Sequence, residues 1–163
     1  MGSPSFKRWL YRGGHPNRLA RVINRFWAWV HALGIAPDYM VTLEVKGRST
    51  GRTISFPLAM LWVDGERYLV SMLGAGASWV LNVRAANGEA VLRHGKTEHV
   101  RLEPVEVEQR AGILKAYLKI APGARPHIPV DQHASLDAFE AIAAQYPVFR
   151  VKDMVSDPKR ERD

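Results

Sequence analysis

Between Tyr39 and Val107 apolar residues recur at every second position in short runs, and only one of the segments joining them, Gly74 to Gly88, has room for a helix. A parallel sheet needs a crossover of a dozen or more residues between neighbouring strands, so this spacing demands antiparallel pairing. Val41, Leu43 and Val45 alternate with Thr42, Glu44 and Lys46, which predicts a strand over Tyr39 to Val45 with one buried face. Ile54 to Val63 reads as a longer strand, turned at Asp64-Gly65 into a returning strand over Arg67 to Leu73. Glu89 to His94 and Lys96 to Val107 form a further pair around Gly95. Pro57 and Pro104 cannot donate to a ladder, and each marks an edge, a bulge or an unpaired point. Five or six strands with one short inserted helix describe a small barrel, mainly β with α, rather than a doubly wound sheet.

Helical patterns flank that core, and the whole reads as a single domain over 1–163. Residues 1–37 form a basic amphipathic region: Leu19, Val22, Ile23, Phe26, Val30 and Leu33 make one apolar stripe, with Arg18, Arg21 and Arg25 beside it and Trp27 and Trp29 outside it. Such a helix either docks on its own domain or lies in a membrane interface. The uncharged run from Phe26 to Pro37 is too short to span a bilayer, and the arginines break up any secretory apolar region. The barrel core occupies 38–107. Residues 108–151 carry a helix over Glu108 to Ile120, a break at Ala121 to Pro129, a helix from Leu136 to Tyr146 with Ser135 as its cap, and a short edge strand at Val148 to Val151. Residues 152–163 read as a frayed tail.

Charge and cysteine usage narrow the function. The net charge of +7 points to an anionic partner: nucleic acid, an anionic membrane or a phosphorylated cofactor. The chain has no cysteine, which removes disulfides, thiolate metal sites and thiol nucleophiles and agrees with a reducing cytoplasm. Nucleic acid fits poorly, because the aromatics are not interleaved with basic residues along the strands.

One turn concentrates the charge. Lys46-Gly47-Arg48-Ser49-Thr50-Gly51-Arg52 interrupts the first two strands; its glycines permit a tight bend with open backbone N–H groups, its three cations add charge, and Ser49 and Thr50 add hydroxyl donors. It reads as a phosphate or carboxylate site, with a solvated hairpin tip as the plain alternative. The small-residue loop Gly74-Ala75-Gly76-Ala77-Ser78 precedes a helix to Ala86 that Ser78 is placed to cap, leaving N–H groups for an anion or a ring carbonyl. Elsewhere the standard constellations are missing. His94 and His99 lack a partnering acid, no metal site is expected, Gly74 and Gly76 lack the third glycine of a dinucleotide fingerprint, and Glu103, Glu106 and Glu108 read as solvated. A binding loop without an acid, base or nucleophile favours chemistry brought by a cofactor.

In order, Gly47-Arg48-Ser49-Thr50-Gly51-Arg52, Pro57-Leu58 and Ser78-Trp79-x-x-Asn82-Val83-Arg84 resemble the deazaflavin-dependent nitroreductase family, over about residues 41–104. The resemblance implies a split β-barrel of the FMN-binding type, the coenzyme F420 with FMN as the relatives' alternative, and hydride transfer to a lipophilic acceptor such as a quinone or nitroaromatic. By matching position it implies that Arg48, Ser49, Thr50, Gly51 and Arg52 hold the coenzyme's phosphate and tail, with Lys46 and Arg52 as replacements for the family's missing cations, and that Pro57 and Leu58 line its ribityl side. Ser71, Met72, Gly74, Ala75, Gly76 and Ser78 would face the ring, and Trp79 and Asn82 would fix the inserted helix. Ser49 replaces the usual lysine, and Ile54 an arginine. Ser71, Tyr117 and His127 are the candidate catalytic proton donors, although Tyr117 also lies on an apolar helix face; Trp27, Trp29, Tyr117 and His127 would border the acceptor. A carrier or membrane-surface module with the same barrel is the alternative function, cytoplasmic with peripheral membrane contact the expected location, and monomer and homodimer both stay open.

Overall fold

The computed structural model describes residues 39–154, which belong to one unit, Tyr39–Asp163. The expectations for the N-terminal helix, Trp27 and Trp29, and for the tail beyond residue 154, fall outside the described residues.

Six strands form a closed antiparallel barrel: β1 (Met40–Lys46), β2 (Thr53–Val63), β3 (Glu66–Val70), β4 (Glu89–Arg93), β5 (Thr97–Pro104) and β6 (Val148–Asp153), in the order β1-β2-β3-β6-β5-β4 with β4 returning to β1. Among the described residues three α-helices accompany them: α1 (Ser78–Ala85), α2 (Arg110–Ile120) and α3 (Leu136–Glu140). This is the expected split-barrel architecture with an inserted helix and C-terminal helices.

The period-two pattern puts one set of side chains inside. Leu43 lies opposite Phe56 on one neighbour and Leu92 on the other, Leu69 opposite Phe149, and Leu102 opposite Val151, all of them buried. The alternate set on β2 and β3, Ala59, Leu61, Tyr68 and Val70, packs outward under α2 and α3, where Leu114, Leu118 and Phe139 have no exposed surface. Each such side chain contributes about 1.5–3 kcal/mol through removal from water. Arg110 ties this layer to the barrel, donating from Nε to the Val105 carbonyl at 2.9 Å and from Nη1 to that of Ala143 at 3.2 Å.

β2 explains its proline. Thr53 to Ala59 pairs with β1 and Met60 to Val63 with β3, so Pro57 has a paired strand on one side only. Gly88 has φ +82, and a Cβ there would lie 2.5 Å from the Leu102 carbonyl oxygen; only glycine permits the approach that begins β4.

Several local expectations change. Val148 to Val151 is not an edge: the strand runs to Asp153 and pairs with both β3 and β5, which closes the barrel and takes Lys152 and Asp153 out of the tail. The helix expected over Leu136 to Tyr146 stops at Glu140 and resumes as a short 3-10 turn at Ala143–Gln145. Ser135 is its N-cap position but makes no side-chain cap bond. Ser78 is the first residue of α1 rather than its cap, which is Ala77, and no side chain caps that end.

Candidate functional site

The strand order brings the basic turn, the 71–78 loop and α1 to the same end of the barrel, since β1 ends, β2 begins, β3 ends and β4 begins there. At the opposite end, Arg67 is held by Glu98 at 3.1 Å and Asp153 at 2.6 Å. At the end that carries the turn, Glu89 at the start of β4 pairs with Arg101 at 3.3 Å, and among the described residues the cations of the turn itself stay outside the ion pairs.

The turn is closed at its neck. Gly47 N–H donates to the Arg52 carbonyl at 2.7 Å, and Gly51 N–H to the Gly47 carbonyl at 2.8 Å. A Cβ on Gly47 would fall 2.8 Å from Ile54 Cδ1 and 3.2 Å from the Arg52 carbonyl oxygen, so the first glycine is required by close approach. The second, Gly51, has φ +68. Lys46, Arg48, Ser49, Thr50 and Arg52 are all exposed, and among the described residues none of the three cations takes part in an ion pair. Between Glu66 and Glu89 the sequence holds no Asp or Glu, so neither the loop nor α1 supplies a compensating charge.

Asn82 joins this turn to α1. Its side chain is 2% exposed, and its Oδ1 accepts Arg48 Nη1 at 2.8 Å and the Arg48 backbone N–H at 3.3 Å. Sequence reasoning assigned Asn82 to fixing the helix and missed its bond to Arg48. The available signal was an amide at the i+3 position from Trp79, on the stripe shared with Val83, where a buried polar group needs a partner. Trp79 is 6% exposed and packs on Phe149 inside the barrel, ring centroids 5.5 Å apart, so it seats α1 as a plug.

The loop is held by its first residue. Ser71 is 1% exposed; its Oγ–H donates to the Gly74 carbonyl at 2.7 Å and its N–H to the Pro147 carbonyl at 2.9 Å. Met72 packs against the helical layer, while Ala75 and Gly76 are exposed. Pro57 lies opposite Thr42 and Leu58 opposite Val41, both half-buried, so Pro57 takes the outer face and Leu58 the inner.

Tyr117 and His127 belong to the helical layer. Tyr117 is 4% exposed, and burial first, then the neighbouring Tyr39, pushes its hydroxyl far above the ordinary value of 10.0. His127 is exposed, and its carbonyl accepts the Tyr146 hydroxyl at 3.0 Å. Among the described residues no hydrogen bond joins either side chain to the basic turn or to Ser71.

No protein-family profile and no curated protein matches the sequence. Solved structures are similar in fold. A protein of unknown function from Agrobacterium tumefaciens str. C58 superposes with a TM-score of 0.51 at 10% identity over 71% of this chain, which spans about half of that protein (48%). A structure described as an F420-H2 dependent reductase, FDR-A, gives a TM-score of 0.48 at 19% identity, covering 70% of this chain and 94% of the other. An FAD-binding protein from Mesorhizobium loti gives 0.46 at 14% identity, covering 78% and 89%.

Proposed function

We propose that this chain is a deazaflavin-dependent oxidoreductase that passes a hydride from reduced F420 to a lipophilic acceptor such as a quinone or nitroaromatic. The observation that carries the reading is the uncompensated basic turn, braced by a buried amide beside a small-residue loop at one end of the barrel. That arrangement fits a flat ring carrying a phosphate and a carboxylate tail: Lys46, Arg48 and Arg52 would hold the anionic groups, Ser49 and Thr50 would donate to them, and the open backbone at Ala75 and Gly76 would approach the ring. Bound there, the reduced cofactor supplies the hydride. The protein's share is to bind and orient, with Trp79 and Phe149 keeping α1 seated under the turn.

Ser71, Tyr117 and His127 remain the proposed proton sources for the product. His127 has the exposed side chain, whereas the Ser71 proton is engaged by the Gly74 carbonyl and the Tyr117 proton is held by burial. The proposed setting is the cytoplasm, as a monomer or homodimer, with peripheral membrane contact close to where lipophilic acceptors dissolve. Among the described residues no helix is long and apolar enough to cross a membrane.

FMN is the second reading. Ile54 packs under Gly47 where an arginine would add charge, and Ser49 stands for a lysine; both favour a ligand that carries a phosphate but no carboxylate tail. Titrating the protein with F420 and with FMN, while following absorbance and menadione-dependent oxidation of the reduced deazaflavin, separates the two. F420 binding with acceptor-dependent turnover is expected. Tight FMN binding with no response to F420 refutes the cofactor assignment, and F420 binding without turnover leaves a carrier.

A further inference from the structure

We infer that Asn82 is a positioning residue that presents Arg48 to an anion while leaving its charge uncancelled, an inference that rests on the basic turn being the anionic end of the proposed cofactor site. Three observations converge. Asn82 is one of the few buried polar side chains of the described residues, at 2% exposure on a helix whose inward positions are otherwise apolar. Its one oxygen accepts both from the backbone of residue 48 and from that residue's guanidinium, at 3.3 and 2.8 Å, which closes a ring and sets the direction of an otherwise exposed, flexible side chain. No carboxylate lies in the turn, the loop or α1.

The choice of an amide matters. A carboxylate at position 82 would hold the guanidinium more tightly, but would neutralise it; an aliphatic residue would leave the charge and lose the aim. An amide oxygen satisfies one Nη1–H and leaves the guanidinium's other N–H donors and its whole charge for a ligand. Pre-orientation lowers the side-chain entropy lost on binding, which is where a positioning residue gains affinity. The burial that makes Asn82 expensive to place is offset by its two donors.

The test is a double-mutant cycle in the full chain, N82A, R48A and N82A/R48A, read by calorimetric titration with inorganic pyrophosphate and, separately, with F420. If Asn82 acts through Arg48, each single variant weakens pyrophosphate about tenfold and the double variant loses no more than R48A alone. Losses that multiply across the cycle overturn the inference, because Asn82 would then support the site independently of Arg48. N82D guards against a folding defect: it retains an oxygen for the Arg48 bonds, so its thermal midpoint is expected to match or exceed that of the parent while its pyrophosphate affinity falls below that of N82A. An N82D protein that binds pyrophosphate as tightly as the parent refutes the role, as does a parent protein that binds neither anion. Coupled losses with pyrophosphate but no F420 binding would uphold Asn82 and discard the cofactor; F420 turnover with independent losses would do the reverse.

Discussion

Replacing Arg48 with alanine separates a binding role from a structural one, because the geometry predicts opposite sizes for the two effects. The substitution removes the 2.8 Å bond from Nη1 to Asn82 Oδ1 but leaves the backbone N–H of residue 48 on the same oxygen. The buried acceptor therefore keeps a donor, and the stability loss should stay near 0.5–1 kcal/mol, a shift of a few degrees in unfolding midpoint. The anion loses a charge-assisted contact, for which about 1.5–3 kcal/mol is usual, so Kd for F420 should rise about 10- to 150-fold. The dependence of log Kd on log salt concentration should flatten as well, because one cation fewer meets the ligand. Fluorescence titration at two salt concentrations, beside a thermal melt of the same preparation, provides all three numbers. A Kd within about twofold of the parent would show that the anion is held elsewhere. A midpoint lowered by more than about 10 °C would show that Arg48 is structural and that the reasoning from Asn82 is wrong.

Two glycines that both have positive φ should respond differently to alanine: Gly88→Ala should cost about 2–4 kcal/mol in denaturant unfolding and Gly51→Ala about 1 kcal/mol, since only Gly88 faces an obstructing carbonyl, 2.5 Å from the added Cβ, whereas nothing lies within 4 Å at Gly51; equal losses would refute the steric part. Burial raises the Tyr117 hydroxyl above its ordinary 10.0 in the folded state, so above that pH the unfolded chain binds fewer protons than the folded one and stability falls with rising pH, by up to about 1.4 kcal/mol per unit. Tyr117→Phe should flatten the stability profile above about pH 10, and an unchanged slope would show that the phenol does not carry it.

The local elements were legible because each depends on neighbours a few residues away. Alternation at Val41, Leu43 and Val45, the Asp64-Gly65 hairpin, and the Asn87-Gly88 stop after α1 all appear where the pattern puts them. The 3.6-residue stripe of Ile113, Leu114, Tyr117 and Leu118 is buried as a helix face should be. Errors fall where a distant partner decides. Val148 to Asp153 has the composition of any short strand, and only pairing with β3 on one flank and β5 on the other makes it the strand that closes the barrel. The segment after Glu140 keeps an apolar stripe, yet Ile142, Ala143 and Tyr146 pack on the sheet layer from a broken turn rather than a continuous helix.

The candidate site divides the same way. By itself the sequence determined a basic, glycine-closed turn, a small-residue loop and a Trp-x-x-Asn helix start, since these follow from residue chemistry and short spacing. The tertiary structure decided that these meet at one end of the barrel, that Trp79 goes inside against Phe149, and that Tyr117 and His127 belong to the helical layer. Above all it decided that Asn82 takes Arg48, a pair 34 residues apart in sequence, as its partner. Periodicity carries no information about such a bond. It arises because a buried amide must find a donor and barrel closure leaves the turn's arginine within its reach.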